Sequence, residues 1–454
     1  MDAMQDAATG LTQDLAAMAM ATRYDALPGP VRQLARQCVL DYLGCALAGA
    51  HDPLVDILRG LATEDGGTPA AALIGHGARL PMMAAALVNG AAGHALDYDD
   101  VNLAMPGHPS VAILPALLAL AEARHAAGPA VIEAFVAGYE LQCRLGAALA
   151  PGHYDGLGFH ATATIGSFGA AAACARLLEL DASQAAMALG IAATQAAGLK
   201  SMFGTMCKPL HAGTASEHGL RAALLAARGF TSRPDAIECA QGFAASHSPD
   251  FVPARARETP PGGFHILANL FKYHAACYLT HGAIEAARQI YAKGIDPTAI
   301  AALTLTVDRS TDRVCNIPAP RDGLESKFSL RQTTAMALSG IETGALENYC
   351  KDTAADPALM ALARLIELRF GDHLPLASAT LEVTLANGTR LTSSHDAGLP
   401  ATDLAEQGRR LATKFQVLVT PVLGAGKARE IAALVEGLDG LADVAPLMAA
   451  CAGG

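Results

Sequence analysis

Residues 93–110 read GHALDYDDVNLAMPGHPS and hold three carboxylates, Asp97, Asp99 and Asp100, beside two histidines, His94 and His108. Such a set can do general acid–base work, because imidazole titrates near neutrality and a neighbouring carboxylate can orient it or serve as the base itself. The flanking sequence is apolar, MMAAALVNGAA before and VAILPALLALAEA after. Both flanks read as core helices, so the polar run is expected in the interior, where charge requires a partner. Any one of these carboxylates is as well explained by a solvated helix terminus; the cluster is not. His160, at the end of the Gly-rich loop PGHYDGLGFH, and Lys208, in GTMCKPL, extend the candidate set. An ammonium among small and apolar neighbours needs an anionic partner or a depressed pKa. His108 is equally readable as a helix cap, His160 as a core histidine, and His281 more readily as core than as catalyst. Asp97, Asp99 and His108 could also hold a metal, but no H-x-x-x-H or similar spacing supports it, so no metal and no cofactor are expected.

These residues must be carried by helices. Val31, Leu34, Cys38, Tyr42, Cys45 and Ala46 recur at helical spacing after the Pro28-Gly29-Pro30 break. Further helices are expected over residues 110–126, 130–149, 161–180 and 181–199, and in a run ending at Gly229. The character changes after about residue 265. LTLTV at 303–307 alternates as a strand, and ATLEVTLANGTRLTSS holds two strand patterns around Asn387-Gly388, a strong hairpin signal. Helical pattern returns after Asp403, in LAEQGRRLATKF and AREIAALVEGLDGL. The expected architecture is mainly α: an all-helical domain from residues 1–265 and 405–454, and a smaller α+β domain over 266–404.

Composition narrows the function. A chain of 454 residues with 52% hydrophobic and 17% charged residues can fill sizeable cores. The absence of Trp and the wealth of Ala and Gly favour close-packed helices. Net charge of −11 and the lack of a basic run argue against nucleic acid. Asp2, Asp6 and Asp14 stand where a signal peptide would be basic, and residues 101–121 are broken by prolines, so a soluble cytoplasmic protein with no membrane partner is expected. Ten scattered cysteines without a C-x-x-C pair suggest reduced thiols. A relaxed G-x-G-x-x-A match at 156–161 has no preceding strand, and the glycines before Lys427 lack a phosphate-loop pattern.

HALDYDDVNLAMPGHPSVAILPALLALAE, GYELQCRLG, GFHATATIGSFGAAAA, FGTMCKPLHAG, KYHAACYLTHGAIEA and GLESKFSL resemble, in order, signature blocks of the MmgE/PrpD family. That family includes 2-methylcitrate dehydratase, cis-aconitate decarboxylase and iminodisuccinate epimerase. The resemblance implies a helical domain, an α+β lid, a homodimer and a metal-free cleft that binds a small anionic carboxylate. It places functional roles on Asp97 (base or orienting group), His108 and His160 (acid/base), Lys208 (carboxylate anchor) and His281 (lid-borne acid or anchor). Lys272 is a weaker candidate for a second carboxylate contact, an exposed lysine being the plainer reading. The leading expectation is a hydro-lyase dehydrating a 2-methylcitrate-like acid. An iminodisuccinate-type epimerase, a cis-aconitate-type decarboxylase and a catalytically silent binding protein are the alternatives. Many members resemble DDT at the end of the acidic run, whereas this chain has Val101 and Asn102 there and lacks that hydroxyl.

Overall fold

The computed structural model describes residues 10–453; Asp2 and Asp6 lie outside them. The fold is mainly α with a smaller α+β part. It divides into two compact units, one running to Phe271 and resuming at Ala401, the other spanning Lys272–Pro400.

The first unit contains α1 (Leu11–Ala21), α2 (Gly29–Gly49), α3 (Pro53–Asp65), α4 (Met82–His94), α5 (Pro109–Ala123), α6 (Gly128–Leu149), α7 (Ala161–Leu177), α8 (Ala182–Ala193) and α9 (Cys207–Ala226). Its centre is built from α5 and α7, which are buried nearly all round. Each fully buried Leu or Ile of α5, such as Ile113, Leu114 and Leu117, contributes roughly 1.5–3 kcal/mol. Small residues set how near the helices come. A Cβ at Gly213 of α9 would stand 2.2 Å from the Leu87 carbonyl oxygen of α4, and one at Gly90 of α4 would stand 2.7 Å from the Gly213 Cα. This close crossing brings the end of α4, with His94, beside the start of α9, with Lys208.

The second unit holds α10 (His281–Tyr291), α11 (Leu330–Leu338), α12 (Pro357–Arg364) and a four-stranded sheet of β1 (Ile300–Asp308), β2 (Ile366–Gly371), β3 (Ser378–Leu385) and β4 (Arg390–Asp396). The sheet order is β2-β1-β3-β4, with β1–β2 parallel and the other pairs antiparallel. β3 and β4 form the hairpin expected at Asn387-Gly388; Gly388 takes φ 84°, the left-handed region such a turn requires. Helix α10 covers β3 and β4.

After Ala401 the chain re-enters the first unit as α13 (Leu404–Glu436), followed by α14 (Ala445–Cys451). The two helical patterns read there in sequence are one element interrupted at Gly424 (φ 81°, ψ 156°), just after Pro421. Asp403 caps it, accepting from the Ala405 and Glu406 amides at 3.0 and 2.9 Å. No helix among the described residues is long and apolar enough to cross a membrane.

Candidate active site

Three helix N-termini meet the C-terminal end of α4 in the first unit. His108 is the N-cap residue of α5, His160 that of α7, and Lys208 is the second residue of α9, while His94 ends α4. Each N-terminus carries a partial positive charge, so the junction suits anions. Local bonds fix it: the His108 amide donates to Thr162 Oγ1 of α7 at 3.0 Å, and the His160 amide donates to the Gly198 carbonyl at 3.0 Å. Gly107 is required at this approach, since a Cβ there would lie 2.9 Å from Thr162 Oγ1.

Between α4 and α5 the polar run folds inward as expected, with Asp99, Asp100, Asn102, His94 and His108 buried. Asp97 adopts φ 52° and is partly exposed; its Oδ1 accepts from the Lys208 ammonium at 2.7 Å and lies 3.6 Å from His108 Nε2. Asp99 lies 3.0 Å from His94 Nδ1 and 3.3 Å from His108 Nδ1. Burial raises the Asp99 carboxyl, but His108 and His94 beside it outweigh burial and hold it well below the usual carboxylate range. It stays ionised, an acceptor only. His94 therefore donates from Nδ1, leaving a bare Nε2 that is buried without a hydrogen-bond partner among the described residues. This is the arrangement of an oriented base.

Burial lowers His94 to about 4, the effect of Asp99 only partly offsetting it. Burial, with Lys208 adding to it, holds His160 well below 6.5 and lowers His211 in the same direction. These imidazoles are neutral at pH 7. His94 lies 4.5 Å from His108 and 5.9 Å from His160 between ring centroids, and His160 packs edge-on against Phe203 at 5.0 Å. His160 Nδ1 is 3.1 Å from His211 Nδ1.

Behind the cluster lies a second buried layer. The Asp100 carboxyl accepts from Ser110 Oγ at 2.5 Å and from the Ser110 amide at 3.2 Å; burial and Asp41 push it up to about 7. Lys414 of α13 donates to Asp41 at 2.6 Å and to the Tyr98 carbonyl at 2.7 Å, tying the C-terminal helix to the acidic run. Asn102 donates to Tyr139 Oη and to the His265 carbonyl, and Val101 pairs with Leu270.

The structure thus brings together Asp97, His108, His160 and Lys208 from the sequence-derived set. His281 and Lys272 belong to the second unit. His281 opens α10, buried, with Nε2 3.3 Å from the Ala276 carbonyl oxygen and its ring 4.9 Å from His274. Lys272 is 1% exposed, which overturns the expectation of a surface lysine. Sequence reasoning placed His94 and Asp99 in the polar run, and weighed Asp99 as a metal ligand, without assigning either a catalytic role; it gave none to His211, whose one signal is its place three residues after Lys208 on the same helix. Ligand atoms of His94, Asp97, Asp99 and His108 all lie within 4.8 Å of one another, a donor set that fits a divalent cation. However, the Lys208 ammonium already provides the positive charge at Asp97.

The buried groups predict a pH dependence of stability. His94, His153 and His265 sit at about 4 and His160 well below 6.5, so between those values the unfolded chain binds protons that the folded chain does not, and stability falls as pH drops below 6.5. Asp100 and Glu140, raised to about 7, act oppositely: their contribution is present in acid and is lost as pH rises through about 7. The imidazoles outnumber the carboxyls. A urea midpoint at pH 5 below that at pH 7 is expected; a midpoint that rises on acidification contradicts this balance.

The first unit thus gathers neutral imidazoles, an ionised carboxylate and an ammonium at one junction of helix ends. Residues 13–255 match the MmgE/PrpD N-terminal domain and residues 274–440 the MmgE/PrpD C-terminal domain, and the chain belongs to the MmgE/PrpD family. It is 27% identical to a cis-aconitate decarboxylase of Aspergillus terreus across 98% of this chain and 96% of that protein. It is 28% identical to the Homo sapiens cis-aconitate decarboxylase across 96% and 93%, and 28% identical to that of Mus musculus across 81% and 78%.

Proposed function

We propose that this protein is a lyase acting on a small tricarboxylate, with loss of carbon dioxide from cis-aconitate as its reaction. The observation that supports it most is Lys208 at the meeting of three helix N-termini, a cationic cradle for substrate carboxylates. Similarity to cis-aconitate decarboxylases over nearly the whole chain supports this choice of substrate class.

When the carboxylate on the saturated carbon of cis-aconitate leaves, its electron pair spreads through the adjoining double bond into the next carboxylate. Lys208 and the helix termini stabilise that charge, a contribution of roughly 3 kcal/mol for each well-placed donor. One proton must then reach the far allylic carbon. His160 and His108 are the acid candidates; Asp99 fixes the orientation of His94 and lies 3.3 Å from His108 Nδ1. On the family resemblance His281 also serves the substrate and the protein acts as a metal-free homodimer; Lys272 as a second carboxylate contact, a cytoplasmic setting and the absence of a cofactor complete the reading.

A second reading is dehydration of a 2-methylcitrate-like hydroxy acid: many family members, decarboxylases included, resemble DDT at the end of the acidic run, and with Val101 this chain lacks that hydroxyl, which weighs against decarboxylation. His94 Nε2 supplies the base that elimination needs. Proton NMR with cis-aconitate, 2-methylcitrate, citrate and iminodisuccinate, with and without chelator, separates these. Conversion of cis-aconitate to methylenesuccinate is expected. Loss of water from 2-methylcitrate alone establishes the second reading, and saturable binding without turnover establishes a silent binding protein.

A further inference from the structure

His211 is the one imidazole of the junction that is only partly buried, and its Nδ1 faces His160 Nδ1 at 3.1 Å. Two ring nitrogens at that distance hold together only if one carries a proton and the other a lone pair, so the tautomers of the two rings are correlated. We propose that His211 is a positioning and relay residue for His160, and that the Nδ1–Nδ1 pair carries a single shared proton.

The physical need comes from the surroundings of His160. It is buried beside the Lys208 ammonium, with His94, His108 and Phe203 around it, and this neighbourhood disfavours an imidazolium. A neutral imidazole that gives up Nε2–H would become an imidazolate unless Nδ1 gains a proton in the same step. His211 supplies it. As the His160 Nε2–H bond breaks and a C–H bond forms on the substrate, the His211 Nδ1 proton passes to His160 Nδ1, and His211 takes a proton at Nε2 from solvent. Both rings are neutral before and after, and one solvent proton ends on carbon. After release, the reverse shuttle through the same bond resets the tautomers with no net proton change. Run from the other side, the pair lets His160 Nε2 accept a proton, as elimination or epimerisation would require.

The catalytic part rests on the lyase reading above, but the shared proton does not, and the test separates them. Nitrogen-15 NMR on histidine-labelled protein, free of substrate, reads the tautomer of His160. The wild type is expected to show one bare and one protonated nitrogen on each ring, and His211→Ala to change the His160 signals. His211→Asn keeps a hydrogen-bond donor near the same point but cannot relay a proton. It is expected to restore the wild-type His160 tautomer while kcat stays at least about tenfold low with KM within about twofold. The proton inventory should simplify from three protons in flight to one. His160 signals unchanged in His211→Ala, or wild-type kcat in His211→Asn, would overturn the proposal. If no acid is turned over by the wild type, the lyase reading fails while the tautomer measurement still decides the shared proton.

Discussion

Replacing Lys208 with methionine is expected to lower kcat/KM by on the order of 10²–10³-fold with little change in thermal unfolding. The side chain is 10% exposed, stands at the start of α9 and meets Asp97 at 2.7 Å, so methionine keeps the packing of its stem while removing the one ammonium of the junction. Asp97 is partly exposed, and water can solvate its carboxylate once the partner is gone, which is why stability should hardly move. Both kcat and kcat/KM should fall if the ammonium acts on charge that develops during reaction; a rise in KM alone would make it a ground-state anchor. Steady-state kinetics on cis-aconitate, beside a melting curve, reads both. Turnover unchanged in Lys208→Met removes the lysine from the mechanism.

Lys414→Met should have the largest effect on stability, a loss of about 3–5 kcal/mol. Lys414 and Asp41 are 5% and 1% exposed, and the ammonium also serves the Tyr98 carbonyl and stands 4.0 Å from the Tyr98 ring centre. Removing it takes the ammonium bonded at 2.6 Å from a buried carboxylate in a site water does not reach, close to Asp100. The double variant Asp41→Leu/Lys414→Met should recover much of the loss, because apolar groups of similar size replace the pair without leaving a charge behind. Guanidinium unfolding of the wild type and the two variants measures this. A single variant as stable as wild type would show that the α13 contact does not support the acidic run. Tyr98 is the residue between Asp97 and Asp99, so activity should fall with the same substitution.

What sequence alone makes legible follows from range of interaction. The burial of residues 93–110 is readable because polar types are bracketed by apolar runs of helical length, and the Asn387-Gly388 hairpin because its turn chemistry is local. Strand β2 is not readable: ARLIELRFG mixes helix formers with alternation, and its parallel partner β1 is remote in sequence. Pro421 and Gly424 look like the end of a helix, yet α13 resumes beyond them because packing against α2 and the contacts of α14 continue on its far side. In the site, Asp97, His108, His160 and Lys208 could be nominated one by one, whereas the role of His94 depends on Asp99 closing back on it, and that of His211 on a ring 51 positions away. Asp41 and Lys414 are 373 positions apart, and nothing local marks them as a pair.

The most direct measurement is proton NMR of the product formed from cis-aconitate in deuterated buffer. Methylenesuccinate carrying one deuterium at its saturated methylene, the carbon to which the junction delivers a single solvent-derived proton, is expected. Product without deuterium, deuterium placed on the carbon that lost carbon dioxide, or no product from cis-aconitate at all would contradict it.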